Sequence, residues 1–169
     1  VPQEHNPVAC YGRYFFLPEA MRGQRVLVRF EGAESCVAVW LNGHYVGFAA
    51  DSFSPAEFEL TPYLAEGENK LACRVYRWNI GSWLEDQDFW RFSGIFRSVY
   101  LYAAPEVHVW DIRIQMLLDD AYTDATLVLD TSLLLGQGAE GATMHATLMD
   151  GKTVLATAQG GGETQHFEL

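Results

Sequence analysis

Basic residues are scarce in this sequence. Eleven Lys and Arg stand against 22 Asp and Glu, which gives a net charge of -11 at pH 7. Nucleic-acid binding needs clustered cations against phosphates, and anionic membrane surfaces attract basic segments. No apolar run approaches the length of a membrane span. The composition therefore argues against nucleic acid and membrane as partners.

Cysteine and histidine are also too sparse for the common metal and disulfide frameworks. Cys10, Cys36 and Cys73 are odd in number, far apart and outside any Cys-x-x-Cys motif, and the five His are isolated. Cys36 and Cys73 lie in apolar patterns, so we expect buried, inert thiols and a reducing compartment, which predicts a cytoplasmic location. The sequence contains no Gly-x-Ser-x-Gly elbow, so this motif does not indicate a nucleophilic serine.

The ends of the sequence carry no targeting signal. It has no initiator Met and neither a signal nor a transit peptide, and it stops inside a strand-like pattern. We interpret it as a piece of a longer protein.

What the sequence does contain is short β-strand patterns and almost no helical periodicity. Nearly half of its residues are apolar, enough for a proper core. Asn42-Gly43 between two apolar runs predicts a type I′ hairpin, and the alternation of residues 25–30 predicts one wet and one dry face. Short strands between turn residues predict an all-β sandwich or barrel. The predicted strands are residues 11–16, 25–30, 36–41, 44–48, 58–60, 70–78 and 98–102.

A boundary is predicted after residue 104. Residues 1–104 carry 12 acidic and 9 basic residues, whereas residues 105–169 carry 10 and 2. The second segment still alternates like strands, at residues 107–115, 125–134, 142–149 and 153–158. It predicts part of an acidic sandwich of immunoglobulin type. Within it we interpret the Asp119-Asp120 and Asp124 cluster as a polar hairpin tip and residues 160–162 as a flexible turn.

The most informative stretch runs from Trp83 to Arg91. It places Glu85, Asp86 and Asp88 within four positions, between two tryptophans and next to an arginine. Carboxylates this close repel and are costly to desolvate, so a cation or a polyhydroxylated ligand would relieve them. A solvated acidic loop with aromatic anchors explains the pattern equally well.

A catalytic pair within this stretch is disfavoured. Retaining glycosidases place two carboxyl groups about 5 Å apart on opposite sides of the bond to be cleaved. Glu85 and Asp88 are three residues apart on one loop, which makes that arrangement difficult. An Asp oxygen that holds a hard cation together with ligands from elsewhere is more natural.

Several motifs in register closely resemble the sugar-binding domain of family 2 glycoside hydrolases, the large β-galactosidases. Residues 81–97 read GSWLEDQDFWRFSGIFR, and residues 40–48 read WLNGHYVGF. Residues 51–60 and 67–69 match in the same order. The resemblance is strong over residues 5–104 and weak beyond them.

The resemblance implies a fold and an activity. It implies that residues 1–104 form a jelly-roll β-sandwich without its first strands and that residues 105–169 begin an immunoglobulin-like domain. In the family a (β/α)₈ barrel follows, with two catalytic glutamates that act by a retaining mechanism. That barrel, which also holds the expected magnesium, lies outside this sequence. Full-length enzymes of this kind are expected to be homo-oligomers that hydrolyse β-galactosides.

The resemblance also assigns roles to residues of the acidic run. It implies that Asp88 binds sodium together with barrel ligands and contacts the 6-hydroxyl of galactose. Glu85, Asp86, Trp90 and Arg91 are expected to shape the loop, and Arg91 or Arg97 to offset its charge. No catalytic residue is expected in this chain.

Three hypotheses remain open at this stage. The chain is the inert, supporting part of a β-galactosidase, or of a relative that acts on glucuronides or mannosides. Alternatively, it is a stand-alone carbohydrate-binding module. The third hypothesis is a structural or adhesive sandwich, which would require paired cysteines.

Overall fold

The computed structural model describes residues 4–84, 88, 90–136 and 141–169 and confirms an all-β chain. It divides into two compact units, residues 1–104 and 105–169. The strands are β1 Val8–Phe16, β2 Arg25–Phe30, β3 Ala33–Glu34, β4 Cys36–Leu41, β5 His44–Ala49, β6 Ala56–Glu59, β7 Glu68–Tyr76, β8 Gly94–Ile95, β9 Val99–Ala104, β10 His108–Leu118, β11 Ala125–Leu134, β12 Thr143–Asp150, β13 Thr153–Gly161 and β14 Thr164–Glu168. One turn of helix, α1 Gly81–Leu84, and two 3₁₀ turns, Glu19–Met21 and Thr61–Tyr63, complete the described elements. No helix among the described residues is long and apolar enough to cross a membrane.

The first unit is a sandwich of two antiparallel sheets. One sheet has the strand order β1-β7-β4-β5 and the other β6-β2-β9, while β3 and β8 form a short separate ladder. Alternate side chains of both sheets meet between them, as period-two patterning requires. The buried core includes Val28, Phe30, Val37, Val39, Leu41, Phe58, Leu60, Cys73 and Val75.

The Asn42-Gly43 hairpin is confirmed. Leu41 pairs with His44, and φ is +52° at Asn42 and +85° at Gly43, as a two-residue turn of this class requires. The Asn42 amide also donates to Asn69 Oδ1 at 2.8 Å and to the Tyr63 carbonyl at 2.9 Å, and it accepts from Lys70 N–H at 2.8 Å. One side chain therefore ties the hairpin to β7 and to the 3₁₀ turn.

The predicted wet face of β2 is only partly right, because Arg25 and Arg29 are half-exposed but Leu27 is not. Leu27, on that face, is only 4% exposed. It lies between Arg25 and Arg29, which are ion-paired to Glu59 at 3.0 Å and Glu57 at 2.6 Å on the neighbouring strand. The aliphatic stems of long charged side chains can cover apolar surface while their heads stay in water, so alternation alone underestimates burial here.

The second unit has two described sheets, ordered β10-β11-β14 and β12-β13. The four strands predicted for it are present, and the polar tip between β10 and β11 is confirmed. There the Asp119 carboxylate accepts from Thr123 N–H at 2.7 Å and Asp124 N–H at 3.2 Å, and these backbone donors lower its pKa. The predicted glycine turn is only partly right, because Gly160 and Gly161 belong to β13.

The expected state of the buried cysteines is confirmed. Cys36 and Cys73 are buried, and all three cysteines are free. Burial raises the pKa of the Cys73 thiol to about 11, with a smaller contribution from Cys10. The thiolate is the reactive form, so Cys73 is inert at neutral pH.

Asn42→Gly is expected to lower the free energy of unfolding of this chain by roughly 1–3 kcal/mol, because it removes the side-chain bonds but keeps a residue that tolerates positive φ. Urea denaturation would measure the change. An unchanged midpoint would show that the hairpin needs only its backbone geometry.

His166 is expected to make the stability of the second unit pH-dependent. Its Nδ1 lies 2.6 Å from Asp130 Oδ1 and its Nε2 3.5 Å from Glu168 Oε1, and hydrogen bonds to first Asp130 and then Glu168 raise its pKa above 6.5. A raised folded-state pKa means that the stabilisation is fully present below pH 6.5 and is lost as pH rises through the raised value.

The comparison of His166→Gln with the wild type isolates this effect. The urea midpoint of the wild type should fall more than that of the variant between pH 6 and pH 8.5. Parallel pH profiles for the two proteins would contradict the prediction, since all other titrating groups are shared.

Candidate functional site

The acidic run lies on the connection between β7 and β8. The chain leaves the four-stranded sheet at Tyr76, forms α1 and re-enters the fold at Gly94. Asp88 is exposed on this connection. Glu85 and Asp86, which were predicted to shape the loop, lie outside the described residues.

The entry to this loop is held by two asparagines. Asn6 bonds the backbone of Trp78 in both directions, donating to its carbonyl at 2.9 Å and accepting from its N–H at 3.0 Å. Asn79 donates to the Ser35 carbonyl at 2.8 Å and accepts from Ser82 N–H at 3.1 Å. The Ser82 hydroxyl in turn accepts from Asn79 N–H at 3.0 Å. These bonds satisfy polar groups beside the buried Ser35 and Ser82.

Arg91 ties the returning half of the loop to its entry. Its Nη2 donates to the Ser82 carbonyl at 3.0 Å, and its guanidinium lies 5.3 Å from the centre of the Trp78 ring. The Arg77 guanidinium carbon lies 5.4 Å from the centre of the same ring, and the ring centres of Trp78 and Trp83 are 5.9 Å apart. Trp78 is therefore the aromatic centre that the loop closes around, through cation–π and ring contacts.

The exit of the loop is held by a buried carboxylate. Glu34 Oε2 accepts from Ser93 N–H at 2.8 Å, and the Glu34 backbone pairs with Gly94. Ser93 and Gly94 both have positive φ, at +61° and +78°. A Cβ at Gly94 would lie 2.6 Å from the Tyr11 hydroxyl oxygen, so this turn requires glycine for both space and conformation.

Sequence reasoning missed Glu34 and Asn79. Glu34 precedes an apolar strand, where a lone acid is usually a surface residue. Its signal, visible only with hindsight, is an acid among small residues between Gly32 and Cys36. Asn79 resembles an ordinary loop residue until its partners are known.

Exposed apolar side chains surround the described part of the loop. Ile80, Trp83, Leu84, Trp90 and Phe92 are each more than half exposed. Together with Asp88 they form what we call the acidic-loop surface. Large exposed apolar patches usually mark contact surfaces, so this surface is suited to contact another body.

Two of the predicted loop-shaping residues can be located. Arg91 makes the contacts to Ser82 and Trp78 given above, and its role in shaping the loop stays a prediction. Trp90 is 80% exposed, and its role stays a prediction. Arg97 donates to the carbonyls of Phe53 at 3.0 Å and Glu31 at 3.3 Å.

The metal-binding capacity of the described residues is low. They contain no group of three or more His, Cys, Asp or Glu side chains that could hold a metal ion. The Asp88 carboxylate offers a hard oxygen donor of the type that alkali and alkaline-earth cations prefer. It fits a sodium ion as one ligand, and the remaining ligands would have to come from elsewhere.

The first unit also contains an apolar cavity of about 630 Å³, separate from the described acidic-loop residues. It lies among β1, β2, β7, β8 and β9, and Arg13 is the only charged side chain among the described residues that line it. Carboxylates are good acceptors for sugar hydroxyls, and none of the described residues that line this cavity is an Asp or Glu. We therefore do not assign it as the sugar site.

Comparison with known proteins agrees with this architecture. The family model for the sugar binding domain of glycosyl hydrolases family 2 matches residues 1–105. A β-galactosidase of Halalkalibacterium halodurans is 49% identical over 160 residues, which cover 94% of this chain and 16% of that protein. The β-galactosidase large subunit of Lactobacillus helveticus is 43% identical over 152 residues, covering 89% and 24%. The chain thus spans a quarter or less of the length of these relatives.

Solved structures show the same fold. β-Glucuronidase 2 of Bacteroides uniformis, covalently bound to cyclophellitol-6-carboxylate aziridine, superposes with a TM-score of 0.79 at 25% identity, covering 98% of this chain and 21% of that one. The β-glucuronidase of Bifidobacterium dentium complexed with coumarin-3-O-glucuronide gives 0.77 at 23% identity, covering 96% and 33%. At such identity the second likeness concerns the fold alone. With the family model matched across the whole first unit, the chain belongs to glycosyl hydrolase family 2, in which residues 1–105 are the sugar binding domain.

Proposed function

We propose that this chain is the non-catalytic N-terminal portion of a β-galactosidase. The full-length enzyme would hydrolyse terminal β-D-galactosides by a retaining mechanism, with both catalytic carboxylates on a (β/α)₈ barrel outside this chain. The observation that carries the proposal is the acidic-loop surface, where the exposed Asp88 lies on a loop that is bonded at both ends. Such a loop can present a carboxylate to another domain.

Sequence identity favours a galactoside over a glucuronide as the substrate. The relatives at 43% to 49% identity are named β-galactosidases, whereas the β-glucuronidases are 23% to 25% identical. The runner-up is therefore a relative with β-glucuronidase or β-mannosidase specificity.

Asp88 is proposed to contact both a sodium ion and the substrate. A carboxylate can give one oxygen to a hard cation and accept a hydrogen bond from a primary hydroxyl. The cation would supply positive charge that offsets the carboxylate close to the sugar. Its other ligands, and the magnesium expected in the barrel, lie outside this chain.

The apolar side chains around Asp88 support the barrel of the same enzyme as the partner. Ile80, Leu84 and Trp90 would lose contact with water when a neighbouring domain covers them, which is favourable. A homo-oligomer of the full-length enzyme is proposed from the family resemblance. The free thiols Cys36 and Cys73 support a cytoplasmic location.

Asp88→Asn in the full-length enzyme is expected to raise the sodium concentration for half-maximal activity and the KM for a galactoside by about tenfold or more, because a charge-assisted interaction contributes roughly 1.5–3 kcal/mol. The melting temperature should stay unchanged, since Asp88 is exposed. Steady-state kinetics across a sodium titration would measure both effects.

Asp120→Asn is the matched control, since it makes the same charge change at an exposed hairpin tip of the second unit. It should leave both constants unchanged. If Asp88→Asn behaved like this control, Asp88 would have no role at the sodium and substrate site.

This chain alone is expected to hydrolyse no aryl β-galactoside, because both catalytic carboxylates are proposed to lie on the barrel outside it. It should also give almost no heat with galactose or lactose in calorimetry. Turnover that disappeared in Asp88→Ala would refute the non-catalytic assignment, and clear binding to the isolated chain would identify a stand-alone carbohydrate-binding module.

A further inference from the structure

We propose that Glu34 is a positioning residue for Asp88, acting through the return of the acidic loop. The inference rests on the proposed role of Asp88 in sodium and galactoside binding. Beyond that role, we infer that the buried Glu34 carboxylate on β3 determines where the loop places the Asp88 side chain.

The burial of Glu34 is the first observation. It is 5% exposed, and acidic side chains are almost never buried to this degree without a partner. Its described partner is the Ser93 N–H at 2.8 Å, a charge-assisted bond to the backbone. The carboxylate thus binds the main chain of the loop directly, five residues after Asp88.

The conformation that this bond holds is the second observation. Ser93 has φ of +61°, a region that is unfavourable for residues with a Cβ. The next residue, Gly94, also has positive φ and is paired with the Glu34 backbone. Side chain and main chain of Glu34 therefore hold two consecutive left-handed residues, which fix the direction in which the loop re-enters the fold.

The second attachment of the loop is the bond from Arg91 to the Ser82 carbonyl. The Arg91 bond joins the return of the loop to its entry at Ser82. The Glu34 bond then fixes the end of the segment, at Ser93, to the sandwich. Closing a flexible segment removes many of its conformations. Asp88 lies in the middle of this segment, so its location depends on both attachments.

Loss of the Glu34 carboxylate should therefore affect the site through Asp88. In the full-length enzyme, Glu34→Ala is expected to raise the half-saturating sodium concentration and the galactoside KM by about tenfold, the usual scale for groups that orient a metal ligand. The kcat at saturating sodium and substrate should change far less, because the catalytic carboxylates are elsewhere.

Conservative variants separate the hydrogen bond from the charge. Glu34→Gln keeps an oxygen acceptor at the same reach and should lie close to the wild type. Glu34→Asp keeps the charge but withdraws it by one methylene, so it should resemble Glu34→Ala. It also carries the test if the alanine variant fails to fold.

Hydrogen–deuterium exchange gives a readout that does not depend on activity. Backbone amides between Ser82 and Ser93 should exchange faster in Glu34→Ala and Glu34→Asp than in the wild type or Glu34→Gln. Unchanged exchange there would overturn the proposal, because the bond would then not restrain the loop.

Asn69→Ala is the control for general destabilisation. Asn69 is fully buried and bonds Ala65 and Gly67 at the far end of β7 from the acidic loop. It should lower the melting temperature without changing the sodium response. If Glu34→Ala behaved in the same way, Glu34 would be merely structural.

Asp88→Asn in the same experiment separates the two proposals. If it shifts the sodium response and KM but Glu34→Ala and Glu34→Asp do not, the positioning role is refuted and the function of Asp88 stands. If Asp88→Asn is itself silent, the function of Asp88 is refuted and the positioning role with it, even where exchange shows that Glu34 restrains the loop.

Discussion

The attachment of the acidic loop at its two ends is the constraint on which the site depends. A loop that carries several carboxylates tends to spread in water, because like charges repel. Here Arg91 bonds the returning half to the entry, and Glu34 fixes the exit. The sandwich supplies the rigid frame, since Glu34 belongs to β3 and Tyr76, the last residue before the loop, to β7. The site is therefore built as a positioned surface on the sandwich.

Under the proposed function, this arrangement lets a sugar binding domain contribute to an enzyme whose catalytic groups lie on another domain. The sandwich is stabilised by its own core, with Val28, Val39 and Val75 among the buried residues, and this core does not include Asp88. The loop can then be adapted to a partner domain at little cost to the fold. Asp88 and its apolar neighbours are exposed in this chain, as contact with a partner domain would require.

Sequence alone predicted the elements whose cause is local. Asn42-Gly43 specified its hairpin because only a few residues adopt positive φ readily, and alternating apolar residues identified most strands. It failed where distant residues decide the outcome. The burial of Leu27 depends on arginines paired across strands, and the role of Glu34 depends on a contact with Ser93, 59 positions away. The family resemblance named Asp88 and Arg91 but not Glu34, which holds the exit of the loop.

The exposed apolar side chains of the acidic-loop surface have a consequence for handling the isolated chain. Without a covering domain, the exposed side chains of Ile80, Leu84 and Trp90 favour hydrophobic self-association of the chain. The net charge of -11 opposes such encounters through mutual repulsion. At 0.1 M salt, repulsion between charges more than about 10 Å apart is largely screened, while apolar attraction persists. Concentrated samples should hence stay monodisperse in dilute buffer and self-associate as ionic strength increases.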